Sequence, residues 1–291
     1  MTRRYTQLAW AAAACTYLLI ILGAIVRITG SGLGCGEHWP LCNGRLFPPL
    51  DLPTWIEWSH RLAAGLVTIL VAAVAWYTFW LRREGGSGKR ETPPPPFPRP
   101  TTAGYWALGL LAIQVALGAI TVKTGLTPTM VVMHLATAML LLAVLLVAAR
   151  GSRLTPGASP GFPGSAVPLG LGFVTVLLGA LTANLGAATA CLGFPLCNGQ
   201  LAPAGDSLQG IHWAHRLLAY TLTVYVTVWA LRTRRRGPLA LLGLVALQVA
   251  IAAAMVLLGL PGLLQAAHVA VGTGVWAGLV LVAVAPASKP T

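Results

Sequence analysis

Eight stretches of this chain run for about twenty residues or more with almost no charge: 8–28, 55–81, 103–123, 128–150, 166–185, 208–231, 238–259 and 263–285. That length matches the hydrocarbon core of a bilayer, which an α-helix crosses in about 20 residues. Inside lipid every backbone N–H and C=O must find its partner within the protein, so only helices and closed barrels span it. Barrel strands alternate in polarity, whereas these runs are continuously apolar. Composition agrees, with 56% hydrophobic and only 9% charged residues, against roughly a quarter charged in soluble domains. The expected fold class is an all-α membrane protein with eight transmembrane helices.

The basic residues orient the helices. Of 19 Lys and Arg, 14 fall in the N-terminal tail, the even-numbered loops and the C-terminal tail, including Arg3, Arg4, Arg82, Arg83, Arg150 and the run Arg234–Arg236. The odd-numbered loops hold Arg45, and Arg27, Arg61, Lys123 and Arg216 sit near helix ends on that side. Cytoplasmic loops collect Lys and Arg. Both termini are therefore expected in the cytoplasm of a cell (plasma) membrane protein. The net charge of +13 reads as topology and attraction to anionic membrane lipid. Nucleic-acid binding is not expected, because no soluble basic fold is present to carry it. The first helix is not read as a cleaved signal peptide, because LLIILGAIVR at 18–27 resembles VTVLLGALTA at 174–183.

That resemblance belongs to a tandem duplication. EWSHRL at 57–62 returns as WAHRL at 213–217, and PLCNG at 40–44 returns at 195–199. LLAIQVALGA at 110–119 matches LVALQVAIAA at 244–253, pairing Gln114 with Gln248. His60 corresponds to His215, 155 residues on, and His134 to His268, 134 residues on. Repeats with an even number of helices share one orientation. The expected organisation is two tandem four-helix bundles, residues 1–150 and 166–285. A Pro-rich cytoplasmic linker, 84–100, contains four consecutive prolines, which favour extended backbone. A Gly/Pro/Ser-rich join, 151–165, connects the halves.

Each duplicated histidine lies a few residues inside the outer end of its helix. Ionisable groups at that depth are costly and mark function by default; a hydrogen bond from imidazole to a carbonyl on another helix is the competing explanation. Neutral imidazole suits Zn, Cu, Fe or Ni. Zinc wants three or four protein ligands, and each half offers two helix histidines. Heme iron needs only axial ligands, and helical bundles build such sites from facing helices. Arg61 and Arg216 directly follow a histidine and can pair with heme propionates, or snorkel to the interface.

The duplication breaks at Glu57, whose counterpart is His212. Residues at i and i+3 share a helix face, so Glu57 can point at whatever His60 binds. A carboxylate there suits proton transfer or stabilisation of developing positive charge. The alternative is an interfacial Glu, solvated or paired with Arg61 or Arg27. Cys35 and Cys42 lie in the first long outer loop, and Cys191 and Cys197 in its repeat. The topology puts both pairs on the oxidising side, where short-loop disulfides are favoured over zinc. Whether they are structural or redox-active depends on potential and strain. Cys15, inside the first helix, reads as a packed residue.

On these features the chain resembles the heme A synthase family. The resemblance covers essentially the whole chain and rests on Glu57 and His60 in EWSHR, His134 in VVMHLATA, His215 in WAHRL, His268 in QAAHVAVG, and the two outer cysteine pairs. It implies oxidation of the heme O C8 methyl to a formyl group, giving heme A for terminal oxidases. It implies a resident heme b between His215 and His268, substrate heme O at His60 and His134, and Glu57 in catalysis. Heme O synthase, terminal oxidase assembly and an unidentified electron partner are the implied associates, with a homo-oligomer possible in principle. His38 and His212 receive no role. The rival readings are a di-heme b-type electron carrier, which leaves Glu57 unexplained, and a membrane thiol oxidoreductase, which leaves the histidines unexplained.

Overall fold

A computed structural model describes residues 3–49, 51–84, 100–151, 165–203 and 205–285. Most of the expected linker, 85–99, and of the join, 152–164, lies outside the described residues. The described chain is helical: α1 Arg3–Ile28, α2 Leu52–Glu84, α3 Pro100–Lys123, α4 Pro128–Gly151, α5 Ala166–Asn184, α6 Ser207–Thr233, α7 Arg236–Leu257 and α8 Gly262–Ala283, with a 3-10 turn at Ala187–Thr189.

The helix ends follow local chemistry. Prolines open α3 and α4, where the missing N–H costs nothing. Asp51 accepts a hydrogen bond from the Thr54 amide at 3.1 Å, and Asp206 one from the Gln209 amide at 3.0 Å. These are N-caps, and they stand 155 residues apart, as His60 and His215 do. After α3 and α7 the chain turns through left-handed pairs, Gly125–Leu126 and Gly259–Leu260. The Leu126 amide donates back to Thr121 O at 2.9 Å and the Leu260 amide to Met255 O at 2.8 Å, the closure that glycine at such a position permits.

Seven of the eight helices are long and apolar enough to cross a membrane, all but α6. All eight expected helices are present, and the reason that α6 is the less apolar one is visible in the sequence. Over 27 residues α6 carries Gln209, His212, His215, Arg216, Tyr220, Thr221, Thr223, Thr227 and Thr233. Its threonine hydroxyls do not stay orphaned: Thr221, Thr223 and Thr227 each donate to the carbonyl four residues back, at 2.7–2.8 Å. Such internal pairing lets polar residues sit in an apolar medium. Several apolar helices with no strands among the described residues make this a multi-pass membrane protein.

Neighbouring helices in sequence pack side by side within α1–α4 and within α5–α8. In addition α1 meets α4, α5 meets α8, and three contacts cross between the halves: α1 with α8, α4 with α5, and α4 with α8. The densest packing is around α4, where Leu141, Leu142 and Leu145 are buried, and the same core takes in Trp276 and Val280 of α8 and Val284 just after it. The crossing contacts include polar ones. Tyr17 donates from its hydroxyl to Ala270 O at 2.8 Å, and Trp276 from its indole N–H to Met139 O at 2.9 Å. Large apolar side chains such as Leu62, Ile69, Ile113 and Leu247 remain exposed, as lipid-facing positions require.

Candidate functional site

The four duplicated histidines occupy matched helical positions. His60 is the ninth residue of α2 and His215 the ninth of α6; His134 is the seventh of α4 and His268 the seventh of α8. The first half supplies His60 on α2 and His134 on α4, and the second His215 on α6 and His268 on α8.

Glycines on adjacent helices make room for three of the rings. A Cβ at Gly23 of α1 would stand 3.2 Å from His60 Cε1, one at Gly118 of α3 would stand 3.1 Å from His134 Cε1, and one at Gly179 of α5 only 2.8 Å from His215 Cε1. Each imidazole thus lies directly on backbone where any larger residue would displace it. His268 lies instead beside Gln248, whose side chain is in turn flush against Gly272, with a would-be Cβ 3.1 Å from Gln248 Nε2.

The ring nitrogens define what the pairs can hold. His215 Nδ1 faces Thr175 O at 3.0 Å. With its proton there, Nε2 is left as a lone-pair donor, the arrangement usual for metal-binding imidazole. Gln114 Nε2 lies 3.2 Å from His134 Nε2, and Gln248 Nε2 lies 3.0 Å from His268 Nδ1 and 3.3 Å from its Nε2. Nδ1 of His60, Nδ1 of His134 and the amide oxygens of Gln114 and Gln248 are buried without a hydrogen-bond partner among the described residues. Burying polar atoms unpaired is costly, and these orphans gather at the histidine pairs. No group of three or more His, Cys, Asp and Glu suited to a bare metal ion occurs among the described residues. A pair of imidazoles would suit iron held in a porphyrin, which supplies its other ligands, better than a zinc ion, which needs more protein ligands.

Beside each pair stands a disulfide loop locked to its helix. Cys35–Cys42 and Cys191–Cys197 are bonded. Glu57 is 3% exposed. Its Oε2 accepts from the Cys35 amide at 2.7 Å, and its Oε1 accepts from Arg61 Nε at 3.1 Å and also from Arg61 Nη2. Arg61 Nη1 donates onward to His38 O at 2.7 Å and Leu41 O at 2.8 Å. In the second half, His212 takes the place of Glu57. Its Nδ1 donates to Ala187 O at 2.9 Å, leaving Nε2 to accept from Arg216 Nε at 3.2 Å. Arg216 then donates to the carbonyls of Gly193 at 3.0 Å, Leu196 at 2.8 Å and Cys191 at 2.8 Å. Both arginines are spent on loop carbonyls. His38 is an exposed loop residue whose carbonyl, rather than its ring, enters this network.

Several of these roles were not read from the sequence. His212 turns out to be the partner of Arg216, and the i,i+4 spacing it shares with Glu57 and Arg61 was the available signal. Gln114 and Gln248 stood out as repeats, but their approach to His134 and His268 needed the fold. Gly23, Gly118 and Gly179 carried no signal that distinguished them from other helix glycines.

The fold and site together define a multi-pass membrane protein with two helix-borne histidine pairs, each beside a disulfide-closed loop. A family model described as cytochrome oxidase assembly protein, COX15-CtaA, matches residues 6–280. The chain belongs to that family. A relative from Symbiobacterium thermophilum called heme A synthase is 31% identical over 280 residues, 89% of this chain and 88% of that protein. One from Shouchella clausii with the same name is 31% identical over 233 residues, 75% of this chain and 73% of the relative. A third so named, from Bacillus pumilus, is 57% identical over 58 residues, which is 20% of this chain and 19% of the relative.

Proposed function

We propose that this protein is a heme A synthase, an oxidoreductase that converts the C8 methyl of heme O to a formyl group. The observation that carries the reading is the pair of matched histidine sites, with orphaned buried nitrogens and a carboxylate beside only one of them. Relatives called heme A synthase over most of their length support the activity. The helix neighbours favour two four-helix bundles, residues 1–150 and 166–285, each with one site.

On this reading His215 and His268 hold a resident heme b, which supplies redox chemistry when bound. His60 and His134 receive heme O, which enters from the bilayer. The Thr175 carbonyl holds the His215 ring in one tautomer. Glu57 is the catalytic residue. Gripped by Arg61 and the Cys35 amide, it acts as a fixed negative charge against positive charge developing at the substrate methyl, more readily than as a swinging base. Taking the methyl through hydroxymethyl and gem-diol stages to the aldehyde, with water as the oxygen source, releases four electrons and four protons, and the electrons must leave to the electron partner. Arg61 and Arg216, expected as propionate partners, would serve that role only by exchanging a loop carbonyl for a carboxylate. The even-loop bias of Lys and Arg supports cytoplasmic termini in the cell membrane, with the disulfide loops outside. Heme O synthase, terminal oxidase assembly and an electron partner complete the setting.

The test is expression beside a heme O source, followed by heme extraction and mass analysis. Heme A in the extract is the expected result. Heme O left unconverted while both histidine sites carry permanent heme would replace the synthase with an electron carrier.

A further inference from the structure

Three arginines stand near the level of the histidines: Arg27, Arg61 and Arg216. Arg61 and Arg216 spend their guanidinium N–H groups on Glu57, on His212 and on loop carbonyls. Arg27, in the last turn of α1, does not. Half-buried, it makes one hydrogen bond among the described residues, from Nη2 to Gln265 Oε1 of α8 at 3.4 Å. The only ion pair among the described residues is Glu57 with Arg61, so Arg27 has no carboxylate partner among them. Guanidinium carries several donors in one plane and accepts nothing, and a half-buried one with a single long bond to a neutral amide is under-satisfied.

Its position is specific. Gly23, which lies against the His60 ring, is four residues before Arg27 and so on the same face of α1. Gln265, which Arg27 touches, is three residues before His268 and shares its face of α8. The two helices are close here: a Cβ on Gly262 would stand 3.3 Å from Ile28 Cγ2. The offset that carries Gly23 to Gly179 carries Arg27 to Ala183, and the offset that carries His134 to His268 places Val131 opposite Gln265. The Arg27–Gln265 pair is therefore not a repeat feature. It occurs once, on the contact between the halves, one turn along α1 from Gly23 at the His60 ring and one turn along α8 from His268.

We propose that Arg27 is an anion-binding residue that takes a carboxylate of a bound tetrapyrrole at the contact between α1 and α8. The proposal rests on the heme reading above. Arg is the residue best shaped for a carboxylate, through two parallel N–H bonds. Gln265, anchored by its own amide donating to Leu260 O at 2.8 Å, fixes the guanidinium for that approach. The carboxylate can come from the heme at His60 and His134 or from the heme at His215 and His268.

The test uses the full chain in nanodiscs, depleted of heme, and titrates it with ferric heme b and with its dimethyl ester, whose carboxylates are blocked. Absorption spectra report binding without any turnover. Unaltered protein should bind the free acid ~10-fold more tightly than the ester, the value of one charged hydrogen-bonded contact. Arg27→Gln should lose that preference and Arg27→Lys should keep part of it. Each comparison is made within one protein, so a change in fold stability cancels. Repeating it in His134→Ala and His268→Ala backgrounds assigns the carboxylate to the heme whose loss removes the Arg27 effect. An Arg27→Gln variant that binds heme and still discriminates fully against the ester would overturn the proposal and leave the heme reading intact. Absence of heme uptake by the unaltered chain would overturn both.

Discussion

Adding one methyl group at Gly179 should loosen the histidine site of the second half more than any comparable change elsewhere. The new Cβ would stand 2.8 Å from His215 Cε1, 3.2 Å from Nδ1 and 3.4 Å from Nε2. Carbon atoms rest at about 3.5 Å or beyond, so the ring must retreat by ~0.7 Å. The neighbour is not the free end of a flexible chain, because the ring is tied to Thr175 O at 3.0 Å. Moving it stretches that bond toward breaking, a loss of about 1 kcal/mol on top of about 1–3 kcal/mol for overpacking. Together these predict heme affinity reduced by roughly 30- to 1,000-fold in Gly179→Ala. The same change at Gly118 or Gly23 starts from 3.1 or 3.2 Å and asks only ~0.3–0.4 Å of the ring. Gly170, on the same helix, has nothing within 4 Å of its would-be Cβ, and Gly170→Ala is the control. The assay is spectrophotometric heme titration of each purified variant. If Gly179→Ala binds as tightly as Gly170→Ala, with an unchanged spectrum, the His215 ring is not held where this geometry puts it.

Other outcomes follow from the loop network. Glu57→Gln should keep the heme of the second half yet accumulate heme O or a hydroxylated intermediate, with heme A formation down at least ~100-fold; normal heme A yield, read by mass analysis, would make the residue structural only. Arg216→Ala removes the donors that hold Cys191 O, Gly193 O and Leu196 O, so Cys191–Cys197 should be reduced several-fold faster by mild thiol, scored by alkylation, while Cys35–Cys42 is unaffected. Hydrogen bonds from Thr54 hold the Asp51 carboxyl below the ordinary 3.8. A lowered value favours the folded state above the unfolded pKa and loses that contribution as pH falls through the folded one. Fraying of the first turn of α2 should therefore begin below about pH 4, measured as hydrogen exchange of the Thr54 amide, and Asp51→Asn should flatten that dependence.

The helices were readable because lipid imposes one rule on every span, and an apolar run of the right length has few other fates. Their ends were less so: α2 runs from Leu52 to Glu84, beyond the apolar stretch 55–81, because Asp51 caps it and polar residues continue the helix outside the apolar layer. The polarity of α6 was present in the sequence but was masked by its match to the first half. The four histidines and Glu57 were visible through duplication, which makes a departure such as His212 stand out. What could not be read was the reach of the side chains across the fold. That Arg61 and Arg216 turn to loop carbonyls depends on the path of the disulfide loops, which no helical periodicity records. That Gly179 lies under His215 depends on the vertical register of α5 against α6, which no periodicity within either helix records.

The contacts between the halves have a symmetry of their own. Numbering each half's helices from one to four, the first of one half meets the fourth of the other twice, as α1 with α8 and α4 with α5, and the two fourth helices meet each other. That is the pattern of an isologous dimer, in which the same patch serves both subunits. In a true homodimer any residue placed on one side appears on both, so a carboxylate or an arginine suited to one site is imposed on its twin. Covalent fusion lifts that constraint. Glu57 can stand where the repeat has His212, and Arg27 where it has Ala183. The interface keeps the geometry of a partnership of equals while the two partners carry different side chains at matched positions.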